Sequence, residues 1–127
     1  MLMTAVTSNE SNSPDSLCEI GIELLGAGNA AGAVESFRSA IAVDPSHVEA
    51  HHGLVRALRD AGQLNHSLAA AMALTALTPD DPLAHTALSI SLQAAGHVPQ
   101  AEAAAARARI LEWKVQLKAP SDGASIA

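Results

Sequence analysis

The sequence predicts an all-α protein built from helical hairpins, and three observations support this prediction. A pattern of apolar residues over 14–47 recurs over 48–81 and over 82–115, at a spacing of 34 residues. Helix-breaking glycines recur at the same spacing, at Gly28, Gly62 and Gly96. Hydrophobic residues make up 49% of the chain, yet there is one Phe, one Trp and no Tyr. Small side chains let helices approach closely, whereas residues that favour strands are scarce.

Composition also restricts the class of protein. The formal net charge is −6, and the few basic residues are scattered, so the sequence does not predict a nucleic-acid partner. The single cysteine, Cys18, cannot form an internal disulfide. The N-terminus does not resemble a secretory signal, and there is no run of 18 apolar residues. We therefore expect a soluble, cytoplasmic protein with no direct membrane insertion, and the Ala-rich, Lys-poor composition is typical of bacteria with GC-rich genomes.

The first hairpin begins at Ser13-Pro14, where serine is a favourable N-cap and proline suits the first turn. Apolar residues at helical spacing follow, and Gly26 and Gly28 end the first helix. The second helix is predicted over 30–43, because Asp44-Pro45 ends it.

The second hairpin is predicted to begin with a capping box, with Ser46 as the N-cap and Glu49 as its partner. Its first helix ends at Ala61-Gly62, and its second runs over 64–77, up to Thr78-Pro79.

The third hairpin begins at Asp81-Pro82, and its first helix ends near Gly96. Pro99 suits the first turn of a last helix that continues to Lys118. The predicted organisation is a disordered tail over 1–13, one domain over 14–118 and a second disordered tail over 119–127.

Each hairpin resembles a tetratricopeptide repeat, a 34-residue motif with a large residue, Leu-Gly, an aromatic residue, then Ala, Phe or Tyr, Ala and Pro. The first copy carries these positions as Leu17, Ile20-Gly21, Leu24, Ala33, Phe37, Ala40 and Pro45. The second has His51, Leu54-Val55, Leu58, Ser67, Ala71, Leu74 and Pro79, and the third has His85, Leu88-Ser89, Leu92, Ala101, Ala105, Ala108 and Trp113. The resemblance implies a right-handed superhelical solenoid. Leu74 stands where the family usually has alanine, and Trp113 stands in place of the closing proline.

The resemblance also implies a peptide-binding groove, lined by the first helix of each hairpin. Carried over by position, the lining is Asp15, Cys18, Ile22, Leu25, Glu49, His52, Arg56, Arg59, Leu83, Thr86, Ile90 and Gln93. Its centre holds Arg56 and Arg59 between apolar flanks. A peptide with apolar anchors around a carboxylate would complement it, because arginine binds carboxylates bidentately. A solvated arginine pair is an equally good interpretation.

Other candidate chemistry is better explained by packing. His47 and His51 are four residues apart, as a metal site requires, but His51 and His85 occupy a repeat position that normally packs. The sequence does not settle whether His47, His51 and His52 bind a metal. Cys18 has no neighbouring cation in sequence to activate it. We predict no enzyme, cofactor or metal.

The last helix predicts a contact with another chain. Ile110, Leu111, Trp113, Val115 and Leu117 are more apolar residues than one helix face can bury. The extension either folds back over the array or meets a second chain, and we favour a homodimer. The first copy has five acidic residues against Arg38, and the third has more basic than acidic residues, which favours head-to-tail self-association.

The sequence therefore predicts a non-catalytic scaffold or adaptor that binds a peptide segment of a protein partner in its concave groove. Two alternatives stay open. One is a small acidic secretion chaperone for a translocated substrate, although the chain is shorter than such proteins. The other is an accessory subunit that docks into a larger enzyme or membrane complex through the extension around Trp113.

Overall fold

The computed structural model describes residues 13–118, which form six α-helices and no strand. Of the two predicted tails, only Ser13 lies within the described residues. The helices are α1 (Pro14–Gly26), α2 (Ala30–Val43), α3 (Val48–Asp60), α4 (Leu64–Leu77), α5 (Pro82–Ala94) and α6 (Val98–Lys118). The predicted order of three hairpins is confirmed. Within this part of the chain, no helix is long and apolar enough to cross a membrane.

Short polar side chains begin several of the helices. The Ser13 hydroxyl accepts a hydrogen bond from the Ser16 amide at 3.1 Å, and the Asp81 carboxylate accepts one from the Leu83 amide at 2.9 Å. Each satisfies an amide that has no partner within the helix. The predicted starts at Ser13-Pro14 and Asp81-Pro82 are therefore correct.

The predicted capping box at the start of α3 is wrong. The Ser46 amide and hydroxyl both donate to Asp44 Oδ1, at 3.1 and 2.8 Å, so this serine belongs to the preceding turn. His47 is the N-cap, and its Nδ1 accepts a hydrogen bond from the Ala50 amide at 3.1 Å. Since Ser46 is held by Asp44, the first residue able to cap the helix is His47.

One type of turn closes all three hairpins. Gly28, Gly62 and Gly96 have φ values of 81°, 78° and 86°, in the left-handed region that favours glycine. After each glycine, the next amide donates to a carbonyl five residues back, as a Schellman motif requires. These bonds run from Asn29 to Leu24, from Gln63 to Leu58 and from His97 to Leu92, at 2.8, 2.9 and 2.8 Å.

The helices form a curved array. Each helix packs on the next, and α3 also contacts both α1 and α5, whereas α2, α4 and α6 do not contact one another. The first helices of the hairpins therefore line the inner, concave side, and the second helices form the outer, convex side.

Small residues let a few large side chains fill the core. Phe37 on α2 is fully buried, and a Cβ atom added at Gly21 on α1 would lie 2.7 Å from its ring. A Cβ added at Gly53 on α3 would also overlap the ring. The ring thus fills the space between two hairpins. Leu74 is fully buried as well, and packs with Val55 and other small residues despite standing at a usual alanine position.

Candidate peptide-binding groove

Two adjoining depressions run along the concave side, and they share His52 and Arg56 of α3. The first has a volume of about 390 Å³ and is lined by Ile22, Leu25, Gly26, Phe37, Glu49, His52, Gly53 and Arg56. The second, of about 270 Å³, is lined by His52, Val55, Arg56, Arg59, Leu83, Thr86, Ala87 and Ile90. We call the two together the groove.

The fully buried Phe37 ring lies beneath the floor of the first depression, although it belongs to α2 on the convex side. Gly53 carries no side chain above the ring, so the ring edge lies directly beneath the groove. Ile22 is 47% exposed and forms an apolar wall beside this floor. The first depression is therefore mainly apolar.

Two arginines lie along the second depression. Arg56 Nε lies 3.7 Å from Asp60 Oδ2, in an exposed pair one helical turn apart. Arg59 forms no ion pair with any of residues 13–118. On the α5 side, Leu83 and Ile90 are 65% and 45% exposed. The cations therefore lie between apolar surfaces on α1 and α5.

The end of the groove nearest the start of α3 is acidic. Glu49 also lines a small neighbouring pocket with Asp15, Cys18, Glu19 and His47. The His47 ring donates from Nε2 to Asp15 at 2.7 Å, because its Nδ1 already accepts the Ala50 amide. Two hairpins are thereby joined at this end by a hydrogen bond.

Cys18 is only 2% exposed and belongs to the core rather than to the open groove. Burial, together with the nearby charges of Glu49, Asp15 and Glu19, raises the pKa of its thiol to about 11. At neutral pH the side chain is a packed, neutral thiol.

The structure brings most of the predicted groove residues together. Ile22, Leu25, Glu49, His52, Arg56, Arg59, Thr86 and Ile90 line the two depressions. Gln93 is exposed at the end of α5, outside both of them. Gly26 and Gly53 also line the first depression and were not predicted, because they expose backbone there and carry no side chain that a repeat position could assign.

Two histidines at equivalent repeat positions have the same structural role. His51 Nε2 lies 2.7 Å from the Pro45 carbonyl oxygen, and His85 Nε2 lies 2.7 Å from that of Pro79. Each ring joins the start of a hairpin to the loop before it. Among residues 13–118, no group of three or more His, Cys, Asp or Glu side chains could hold a metal ion.

Comparison with known proteins explains the repeated hairpin. A model of the tetratricopeptide repeat family matches residues 24–90, which is more than half of the chain. The chain belongs to the tetratricopeptide repeat family. No curated protein matches the sequence significantly.

Solved structures contain the same tetratricopeptide solenoid. A crystal structure of MamA superposes with a TM-score of 0.76 at 16% identity, covering 84% of this chain and 62% of that chain. The type III secretion translocator chaperone SycD of Yersinia enterocolitica gives 0.72 at 16% identity, covering 77% and 74%. A CopN–Scc3 complex gives 0.70 at 19% identity, covering 77% and 58%. At these identities, the likeness shows the fold alone.

The extension of the last tetratricopeptide hairpin does not fold back over the array. It continues α6 as one helix, which packs on α5 and on no other described helix. Leu111 is buried, but Ile110, Trp113, Val115 and Leu117 are 45%, 61%, 53% and 66% exposed.

Proposed function

We propose that this tetratricopeptide protein is a non-catalytic scaffold that holds a peptide segment of a protein partner in the groove. The observation that supports this most directly is the union of two open depressions at His52 and Arg56. Together they offer a surface along α1, α3 and α5 that no described residue covers. Its apolar walls bury apolar side chains of a ligand, and its few charges orient the ligand.

The ligand we infer has a carboxylate between two apolar anchors. One anchor contacts Ile22 and Leu25, above the buried Phe37 ring, and the other contacts Leu83 and Ile90. The carboxylate lies against Arg56, whose exposed ion pair with Asp60 contributes little stability and so is replaced at small cost. Arginine suits this role because its planar group binds a carboxylate through two hydrogen bonds.

The acidic end of the groove gives the ligand a direction. Glu49, with Asp15 and Glu19 beside it, repels a carboxylate and favours a basic side chain. We therefore infer that a basic residue of the ligand lies nearest the start of α3, with its acidic residue further along.

Fluorescence anisotropy with labelled 12-residue peptides tests this assignment. One peptide has a single glutamate between two leucines and a lysine towards one end, and a matched peptide has lysine in place of the glutamate. We expect the glutamate peptide to bind more tightly, and the double variant Arg56→Glu with Arg59→Glu to weaken its binding at least tenfold.

The control reverses two charges of the same kind outside the groove, as Arg107→Glu with Arg109→Glu on α6. This variant should retain binding within about twofold. Equal affinity of the groove double variant and the unchanged protein would exclude the groove as the site, as would equal binding of the two peptides.

A secretion-type chaperone is the second candidate function. It is supported by the shared fold of SycD, a translocator chaperone, 74% of which this chain covers. Such a role uses the same groove for a segment of a translocated substrate. Co-purification with the product of a neighbouring translocator gene would distinguish it from a general adaptor.

A further inference from the structure

The last helix carries a second apolar face that none of the described helices covers. Ala101, Ala104, Ala108 and Leu111 are buried. A separate row, which we call the outer stripe, consists of Ala103, Ala106, Ile110, Trp113 and Leu117. Its members are three or four residues apart, so they lie on one side of the helix. Ile110, Trp113 and Leu117 are about half to two-thirds exposed.

The outer stripe is longer and more apolar than the same side of the other second helices. On α2, the positions equivalent to its two alanines are Glu35 and Arg38, which form an exposed ion pair at 4.0 Å. That is an ordinary solvated helix surface. The equivalent residues of α4, Ala69 and Met72, are exposed and uncharged. On α6 the same side adds three large exposed apolar residues, so solvation alone does not explain it.

Basic residues border the outer stripe on both sides. Arg107, Lys114 and Lys118 follow one edge, and Arg109 lies on the other, after Glu102. All four basic side chains are exposed. They are four of the seven Lys and Arg residues in a chain whose net charge is −6, so positive charge is concentrated around the stripe.

The shape of α6 favours a flat target. The helix has 21 residues against 13 in α5, so its last turns project beyond the array. Val115 lies on the side that faces α5 but is still 53% exposed, since α5 does not reach it. A projecting convex helix can lie on a plane, whereas a peptide ligand needs a concave surface.

Charge argues against a symmetric antiparallel pair of α6 helices as the occupant. In a two-fold antiparallel pair of α6 helices, equivalent edges of the stripe face each other. The edge with Arg107, Lys114 and Lys118 would then meet the same three cations of the other copy, and like charges at close range oppose association.

We propose that the outer stripe of α6 docks on the surface of an anionic lipid membrane. The apolar side chains enter the boundary between headgroups and acyl chains, Trp113 lies at the interface, and the flanking cations contact lipid phosphates. The long stems of Lys114 and Lys118 let their charges reach the headgroups while the helix lies partly embedded. Docking of this kind is peripheral and leaves the concave groove open to its peptide.

Trp113 is the only tryptophan in the sequence, so its fluorescence reports on the stripe directly. The experiment mixes the full chain with vesicles of phosphatidylcholine containing about one-third phosphatidylglycerol, and with vesicles of phosphatidylcholine alone. We expect a blue shift of the emission and co-sedimentation with the anionic vesicles only, both reduced by high salt.

Two matched variants locate the contact. Ile110→Glu with Leu117→Glu should abolish co-sedimentation and the blue shift. Ile22→Glu with Leu83→Glu changes exposed groove residues by the same charge and should leave both intact. Circular dichroism checks that each variant folds. The Ile110→Glu with Leu117→Glu variant should still bind the peptide, so membrane docking and the proposed peptide binding can fail separately.

Three results would overturn the proposal. One is equal binding to neutral vesicles or none to anionic ones, and another is equal loss of binding in the two variants. The third is a blue shift that grows with protein concentration without vesicles, with a doubled mass by light scattering, which would make the stripe an interface between copies of the chain.

Discussion

The Ser91 hydroxyl on α5 donates a hydrogen bond to the Ser67 hydroxyl on α4, and the two oxygens are 3.0 Å apart. The direction follows from the neighbouring bond, since Ser67 uses its own proton on the Val55 carbonyl of α3, at 2.9 Å. Both serines are buried. A chain of hydroxyls therefore links three helices on either side of the junction between the second and third hairpins.

This hydroxyl chain predicts a non-additive pair of substitutions. Ser67→Ala removes the hydroxyl that both the Ser91 hydroxyl and the Val55 carbonyl use as a hydrogen-bond partner. This substitution should lower the free energy of unfolding by about 1–3 kcal/mol. Adding Ser91→Ala should cost little more, because it removes the orphaned hydroxyl. Urea unfolding of the two single variants and the double variant measures this. Strictly additive losses would mean that the hydroxyls do not depend on each other.

Gly53 should tolerate no larger residue, because an added Cβ would overlap the fully buried Phe37 ring. Gly53→Ala is expected to destabilise the protein by about 1–3 kcal/mol through overpacking, despite the better helix propensity of alanine. Gly26→Ala is the control, since nothing lies within 4 Å of its added Cβ. Thermal unfolding of both variants checks the difference. A Gly53→Ala protein as stable as the control would show that the ring can move aside.

The buried thiol of Cys18 should give the protein a specific dependence on alkaline pH. The folded pKa of about 11 lies above the ordinary value of 9.0, so burial of the neutral thiol contributes stability below pH 9. That contribution should fall between pH 9 and pH 11. The measurement is the difference in urea stability between the unchanged protein and Cys18→Ala, which isolates the contribution of the thiol. A difference that is independent of pH over this range would contradict the raised pKa.

The turn at Gly62 should accept asparagine better than alanine. Its φ of 78° strains any residue with a Cβ, but asparagine adopts the left-handed region more readily than alanine does. Gly62→Ala should cost about 1 kcal/mol, and Gly62→Asn should cost less. Chemical unfolding ranks the two variants, and the opposite order would show that the turn relaxes to another conformation.

Helix boundaries could be predicted wherever a residue with a strong local preference stands at the end. The bounds of α2 and α4 follow from glycine turns on one side and Asp44-Pro45 or Thr78-Pro79 on the other. The start of α3 could not be predicted, because its cap depends on which partner Ser46 takes. Local signals compete there, and Asp44 holds the serine.

The groove could be predicted only in part, for a related reason. Repeat position places Arg56 and Ile90 on the inner side, because every first helix faces the same way. It does not reveal that Cys18 is covered, or that Phe37 fills the space beneath the groove from the convex side. Both depend on how neighbouring helices pack, and that is a property of the assembled helices rather than of one helix.

The position of Phe37 links the strength of peptide binding to the integrity of the array. Its ring joins the first hairpin to the second through Gly21 and Gly53, and the same ring supports from beneath the surface on which a ligand would rest. A ligand that needs this surface cannot bind once the two hairpins separate. Binding should therefore oppose their separation, so that a bound partner stabilises the packing of the first hairpin on the second.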